Sequence, residues 1–536
     1  MSTFRENKVW SKTAPDGRWD YIVIGSGMGG MTTAAILAKL GKKVLVLEQH
    51  YVAGGFTHTF KRKKWHWDVG VHAIGEVTNH SMLGRVLADL TNSELEWTSL
   101  GKVYEQFYYP DGFRIDFPDN PTQYRENLYA AFPNDREAID EYFRLVRRTV
   151  AAMRGYYLYR ALPDRAADFV EPFILNDASK FTGMTLKAVL DSITMNERLK
   201  TILSGQWGYY GSPPSQASFA IHATVVHHFL HGAYYPIGGS KQIARTLLKT
   251  VADAGGWTRI RAGVERILIE NGRAVGVRLD GGEEIRAERV VSAANALVTI
   301  NQMLPPEERP KDWVLNIRSL PASPAHLCLY LGFKGDIASA GASSANQWFW
   351  ETWDAEASFW QTHVSAARCP VLYTSYPSLK DPAYKPGPEQ IHTGEVITFA
   401  PFAEFKKWVG TEWMHRGGEY DAMKTDLTGR MLEQFFEYRP GLRPMLEHAE
   451  LSTPLTTENF TRPAEGAIYG VVSTPARYQN PWLRPRTPIK NLFMSGCDMG
   501  AAGVMGAFVG GVLCALAAEP IGAIRYLRKA LTRPAS

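Results

Sequence analysis

The sequence predicts an α/β fold: a parallel sheet extended by an antiparallel meander, with an α+β domain inserted into it. Three observations predict it. The chain opens on a glycine-patterned strand–turn–helix–strand unit. Near its middle, short alternating segments with hairpin turn signals lead into a return strand. It closes on a strand followed by a glycine-rich helix.

The opening unit runs Asp20-Tyr-Ile-Val-Ile-Gly25-Ser26-Gly27-Met-Gly29-Gly30, then an apolar-periodic segment to Leu40, then Lys43-Val-Leu-Val-Leu-Glu48. Gly25 permits the tight turn out of the strand, Gly27 lets backbone N–H groups approach a pyrophosphate, and Gly30 lets helix and sheet pack closely. The helix N-terminus then points its positive dipole end at the phosphates. Glu48 ends the second strand, where a carboxylate accepts hydrogen bonds from ribose hydroxyls. Context lifts the motif above an ordinary glycine-rich turn, and the unit reads as a Rossmann-type dinucleotide site.

The nucleotide fold continues through Gly54-Gly55, His58-Thr-Phe60 and Trp67-Asp-Val-Gly-Val-His72. A second piece begins near Pro236-Ile-Gly-Gly239, with a helical stretch over 241–252. Val264–Ile269, Ala274–Leu279 and Glu284–Ala287 then alternate in the strand period, with Asn271-Gly272 and Gly281-Gly282 as turns. A separate return strand is expected over Arg289–Ala294. The third piece is Asn491-Leu-Phe-Met-Ser-Gly-Cys-Asp498 and the helix after it. The expected division is a discontinuous nucleotide domain (1–80, 232–296 and 485–536) and a substrate-binding domain built from the two excursions (81–231 and 297–484).

Composition narrows the function. With 536 residues the chain is long enough for two joined domains, and its 15 Trp, 24 Tyr and 24 Phe supply ample aromatic surface for a core or an apolar pocket. A net charge of +5 over this length gives no case for nucleic acid. The four cysteines lack CxxC spacing and any metal pattern, which fits free thiols in a reducing compartment. The first twenty residues carry no signal-peptide core. The longest apolar run, Val504–Ala518, is short for a bilayer span and broken by glycines. The expectation is a cytoplasmic protein, with peripheral membrane contact through a basic amphipathic helix over 524–533 as an open alternative.

The motifs at both ends resemble a known family. Val44-Leu-Val-Leu-Glu-Gln-His50, Gly54-Gly55, His58-Thr-Phe60, Asp68-Val-Gly-Val-His72, Pro236-Ile-Gly-Gly-Ser240 and Asn491–Gly511 resemble the retinol saturase and carotenoid isomerase group of the phytoene desaturase-like flavoproteins. The resemblance implies FAD as the tightly held cofactor. It implies saturation, desaturation or cis–trans isomerisation of a long apolar lipid: a polyene, an isoprenoid or an acyl chain. No second glycine fingerprint occurs on a strand–helix junction, so an external electron donor or acceptor is expected rather than an NAD(P)H domain.

On that reading Gly25, Ser26, Gly27, Gly29, Gly30 and Glu48 hold the pyrophosphate and adenosine ribose, and Gly54 and Gly55 pass beside them. Val264 either presents backbone groups to adenine or simply packs in the sheet. Asp498 accepts hydrogen bonds from ribityl or pyrophosphate-side groups, caps the following helix, or both. Gly503 and Val504 open that helix, whose N–H groups stabilise charge on the reduced flavin. His58 and His72 either touch flavin or substrate as acid–base groups or satisfy nearby backbone carbonyls. His227 and His231 share a helical face, yet no HExxH pattern accompanies them and no metal is expected. The expected function is FAD-dependent saturation or desaturation of a carbon–carbon bond; the alternatives are a flavin-dependent isomerase or a lipid carrier with structural FAD.

Overall fold

The computed structural model describes residues 9–357 and 368–532. The first eight residues of the N-terminal segment, ten residues of the second insertion, and Arg533 at the end of the expected basic helix lie outside them.

Strand β1 (Trp19–Ile24), helix α1 (Met28–Lys39) and strand β2 (Val44–Glu48) form the expected opening unit. In the first seven-stranded sheet the parallel core runs in the order Leu492–Met494, Glu284–Ser292, β1, β2, Trp257–Ile260. Successive strand side chains alternate between faces. Tyr21 and Val23 therefore pack with Met31, Ala34, Leu247 and Phe508. Ile22 and Ile24 pack on the opposite face with Ile267, Val277, Ile300 and Trp313. Both faces are covered, so β1 and β2 read as apolar runs rather than as alternating strands.

The meander strands Val264–Glu270 and Arg273–Leu279 are antiparallel, as expected. One expectation is corrected. The third meander strand and the return strand are a single element, Glu284–Ser292. Its first residues pair antiparallel with Arg273–Leu279, and the rest pair parallel with β1 and Leu492–Met494. No glycine or proline interrupts Glu284–Ser292, so nothing breaks the strand where a boundary was expected.

The head and tail of the chain meet. A Cβ added to Gly29 would lie 2.4 Å from Gly496 Cα, and one added to Gly511 would lie 2.6 Å from Gly29 O and from Thr32 Cβ. Only glycine allows the helix Val504–Ala518 to sit this close to α1. Thr33 Oγ1 is 2.9 Å from Ser495 Oγ and donates to Gly511 O at 3.1 Å, tying the contact.

The second seven-stranded sheet draws strands from both insertions, in the order Leu446–Ser452, Ala325–Lys334, Ile391–Ala400, Val371–Ser375, Asn346–Trp350, Val103–Tyr108, Arg114–Pro118. All its neighbours are antiparallel except Asn346–Trp350 with Val103–Tyr108. The helices Arg136–Ala161 and Phe219–Phe229 cover one face, where Tyr142, Phe219 and Phe229 pack with Phe107, Trp348 and Phe399. The helix Gly418–Tyr438 covers the other. Among the described residues no helix is long and apolar enough to cross a membrane.

Candidate active site

One cavity of about 430 Å³ runs from the glycine turn to the aromatic face of the second sheet. At one end it is lined by Gly25, Gly27, Glu48 and Val264; at the other by Val225, Phe229, Trp348, Tyr373 and Phe399.

The glycine-turn end is built by short-range chemistry. Gly25 has φ +93°, a backbone conformation that a side chain would strain. A Cβ on Gly30 would lie 2.2 Å from Gly25 O. Ser26 N and Oγ donate to Glu48 Oε2 at 3.0 and 2.5 Å, and His50 N donates to Glu48 Oε1 at 2.8 Å. Three of the roughly four acceptor sites of the carboxylate are thus occupied by the chain itself, leaving one outward. Ser26 Oγ also accepts from Gly54 N at 2.9 Å, which draws the Gly54-Gly55 loop onto the turn. Gly55 then lies so close to Gly27 that an added Cβ would be 2.9 Å from Gly27 Cα.

The tail supplies the opposite wall. Asp498, expected as a possible helix cap, does not cap the helix: the N-cap of Val504–Ala518 is Gly503. Asp498 instead accepts from Ala296 N and Val471 N, each at 2.7 Å, and so fastens three distant segments beside the cavity. Gly503 and Val504 line the cavity, as do Ala501, Ala502 and Asp498.

The residues fit a dinucleotide with a ring system. A Cβ on Gly27 or Gly503 would meet nothing within 4 Å, whereas Gly29 and Gly30 are tightly packed by protein. The open positions face the cavity. Neither α1 nor Val504–Ala518 has a side-chain cap, so two sets of first-turn N–H groups remain for a ligand.

The sequence-predicted histidines separate. His58 Nδ1 donates to Gly55 O at 2.5 Å, so the backbone-satisfying role is real; burial pushes the ring down to about 4, and it also lines the cavity. His72 lines the cavity with its ring 5.4 Å from that of Tyr373, and burial, aided by the charge of Lys380, pushes it down to about 3. His227 and His231 do not form a helical pair, because the helix ends at Phe229. His222 is buried between Tyr142 OH at 2.7 Å and Tyr210 OH at 3.0 Å, and His228 Nε2 accepts from Gly75 N at 2.7 Å. Among the described residues no group of three His, Cys, Asp or Glu side chains is placed to hold a metal.

Sequence reasoning missed the ionisable groups behind the aromatic wall. Glu105 accepts from Tyr209 OH and Trp348 Nε1, each at 2.5 Å, and burial pushes its carboxyl up to about 7. Lys380 Nζ donates to His72 O at 2.7 Å, Asn346 Oδ1 at 2.5 Å and Ser375 Oγ at 2.7 Å, and burial pushes the amine down to about 7. Glu395 is fully buried, with Oε2 2.9 Å from His72 Nδ1. Glu105 and Glu395 are each a lone carboxylate within a strand, which was the available signal, whereas Lys380 ends the short helix Pro377–Lys380 beside Asp381 and carried none.

A glycine turn under one uncapped helix, a second uncapped helix from the tail and an apolar cavity between them define a flavin-dependent oxidoreductase of the α/β type. Residues 28–404 match the family described as flavin containing amine oxidoreductase. The chain is 32% identical over 515 residues to an all-trans-retinol 13,14-reductase of Danio rerio, covering 92% of this chain and 85% of that protein. It is 24% identical to a chloroplastic prolycopene isomerase of Daucus carota, over 82% of this chain and 70% of that protein. A crystal structure of an oxidoreductase from Methanosarcina mazei superposes with a TM-score of 0.60 at 17% identity, covering 92% of this chain and 98% of that one, a likeness of fold. The chain belongs to the flavin-containing amine oxidoreductase family, within its retinol saturase and carotenoid isomerase group, and its cofactor is FAD.

Proposed function

We propose that this chain saturates a carbon–carbon double bond of a long apolar polyene, with FAD as the redox group. The observation that carries the reading is the single cavity joining the uncapped glycine turn to an apolar aromatic wall. The similarity to a retinol 13,14-reductase supports saturation over desaturation. Bound FAD supplies hydride exchange with an olefinic carbon.

The residues of the chain do the rest. Gly25, Ser26, Gly27, Gly29, Gly30 and Glu48 hold the pyrophosphate and adenosine ribose, with Gly54 and Gly55 closing over them. Val264 lies along the adenine side. Asp498, Gly503 and Val504 hold the ring side, where the helix N–H groups offset negative charge. Phe229, Trp348, Tyr373 and Phe399 hold the polyene and exclude water. His58, neutral and donating through Nδ1, offers Nε2 to the cavity as an acceptor. His72 faces the same space as an acid–base group.

The division into a nucleotide domain (1–80, 232–296, 485–536) and a substrate domain (81–231, 297–484) belongs to this reading, as does an external electron donor. Lipid supply from a membrane surface is supported by the helix Pro520–Thr532, where Ile521 and Ile524 are exposed beside Arg525, Arg528 and Lys529. The test is anaerobic single turnover of the reduced holoprotein with all-trans-retinol and with acyclic carotenoids, read by mass spectrometry. Saturation adds two hydrogens and reoxidises the flavin. An unchanged mass with altered double-bond geometry supports the isomerase reading, which the likeness to prolycopene isomerase favours. Holoprotein that reduces reversibly yet converts no polyene points to a lipid carrier.

A further inference from the structure

Saturation needs a proton as well as a hydride, and the cavity wall holds one pair built to deliver it. His72 lines the cavity with its side chain 13% exposed, and its Nδ1 lies 2.9 Å from Oε2 of Glu395, whose side chain is 0% exposed. Glu395 sits mid-sheet in the strand Ile391–Ala400, between Tyr330 and Ser375 on the neighbouring strands. Water does not reach it. The backbone of His72 is held separately, by Lys380 Nζ donating to its carbonyl at 2.7 Å. Nδ1 of His72 and the carboxyl oxygens of Glu395 are buried with no hydrogen bond formed in this arrangement, so the 2.9 Å approach sets an unsatisfied ring nitrogen against an unsatisfied carboxyl and leaves Nε2 for the cavity.

We propose that Glu395 is a positioning residue and proton reservoir for His72, which passes a proton from Nε2 to the double bond during saturation; this rests on the saturase reading. Burial and the carboxylate of Asp68 push the Glu395 carboxyl well above the usual carboxylate range, with Lys380 pulling the other way. Burial and Lys380 keep His72 neutral, down to about 3. A protonated Glu395 donating to Nδ1 leaves the hydrogen of a neutral imidazole on Nε2.

The step balances. FAD, once bound and reduced, would supply a hydride to one carbon of the C=C bond, and the π electron pair would then be drawn to the other carbon. That pair takes the proton from Nε2, forming a C–H bond as the N–H bond breaks. Nδ1 takes the proton of Glu395 in the same movement, so the imidazole stays neutral. The charge left on Glu395 is opposed by burial and by Asp68 and partly offset by Lys380, so it is short-lived and returns its proton demand to the relay. The relay resets when Nε2 takes a proton from the cavity side and Nδ1 returns its proton to Glu395, so the carboxyl itself needs no contact with water. The net change is one hydride and one proton added to one double bond.

The test has two arms on full-length holoprotein. In the first, infrared spectroscopy at neutral pH reads the carbonyl stretch of a protonated buried carboxylic acid, and nitrogen NMR of labelled histidine reads tautomers. The expected result is an acid band present in the wild type and lost in Glu395→Gln, with an Nε2–H signal assigned to His72 by His72→Gln. In the second, the flavin is reduced anaerobically and its reoxidation by all-trans-retinol is followed. Glu395→Gln keeps the shape but has no proton to pass, so reoxidation slows by about a hundredfold or more at unchanged flavin content and lipid affinity. A merely structural Glu395 would lose its acid band in Glu395→Gln but keep wild-type reoxidation. An acid band that Glu395→Gln leaves unchanged, or wild-type reoxidation in Glu395→Gln, overturns the proposal. Wild-type flavin that no polyene reoxidises overturns the saturase reading instead, and the first arm still decides how the pair is protonated.

Discussion

Replacing Gly27 by Ala separates what the glycine turn does for the ligand from what it does for the fold. Gly27 has φ −65° and ψ 170°, which any residue adopts, and a Cβ there meets no protein atom within 4 Å. In the flavin-free protein two small effects oppose each other. Alanine lowers the entropy of the unfolded chain, a gain of about 0.4–1 kcal/mol, and is a poorer N-cap than glycine by about 0.5–1 kcal/mol. Apoprotein stability should therefore stay within about 1 kcal/mol of wild type. The added methyl occupies the face where the pyrophosphate approaches, and overpacking there costs about 1–3 kcal/mol, or about 5- to 150-fold in FAD affinity. Gly30→Ala is the contrasting control. Its Cβ would lie 2.2 Å from Gly25 O and 2.9 Å from Ala293 Cβ, so the fold itself is overpacked and the apoprotein should lose about 3 kcal/mol. Thermal unfolding of apoprotein and flavin fluorescence titration read the two quantities. Wild-type FAD affinity in Gly27→Ala, or an apoprotein destabilised as much as Gly30→Ala, would refute the assignment of that open face to the cofactor.

Three further outcomes are expected. Glu48→Gln turns an amide N–H₂ toward donors that the carboxylate now accepts from Ser26 and His50; apoprotein should lose about 1–3 kcal/mol by thermal unfolding, with flavin content falling as well. His222 is pushed down to about 3 by burial, so between about pH 6.5 and that value the unfolded chain binds a proton that the native state refuses. Stability thus falls with pH by up to about 1.4 kcal/mol per unit, and the gap between wild type and His222→Gln should narrow by about 3 kcal/mol from pH 7 to 4 in denaturant titrations; a constant gap would contradict the buried neutral imidazole. Thr224 lines the cavity, so Thr224→Phe should raise KM for a long polyene about tenfold, about 1.4 kcal/mol, at unchanged flavin content.

Much of the nucleotide site was legible because its signals are local. Gly25 needs a positive φ, and Gly29, Gly30 and Gly511 need missing side chains, and such demands show in any window of sequence. The strand period likewise marked Val264–Glu270 and Arg273–Leu279. It placed a false boundary inside Glu284–Ser292, because a strand that changes partners midway carries no mark of the change. Asp498 was recognised as important, but its partners Ala296 and Val471 donate through backbone N–H groups, which have no sequence signature. Glu105, Lys380 and Glu395 were not found: a lone charge in an apolar strand is the only mark of the two carboxylates, and the groups they meet lie far along the chain.

By itself the sequence determined the turn, its helix, its acidic partner and the glycine-rich tail, because steric limits on φ and on close packing act within a few residues. Only the tertiary structure decided that His72, Lys380 and Glu395 share one buried neighbourhood at the end of an apolar cavity. Strand pairing across hundreds of residues brings them together, and the removal of water, which alters their proton affinities, exists only once both sheets are packed.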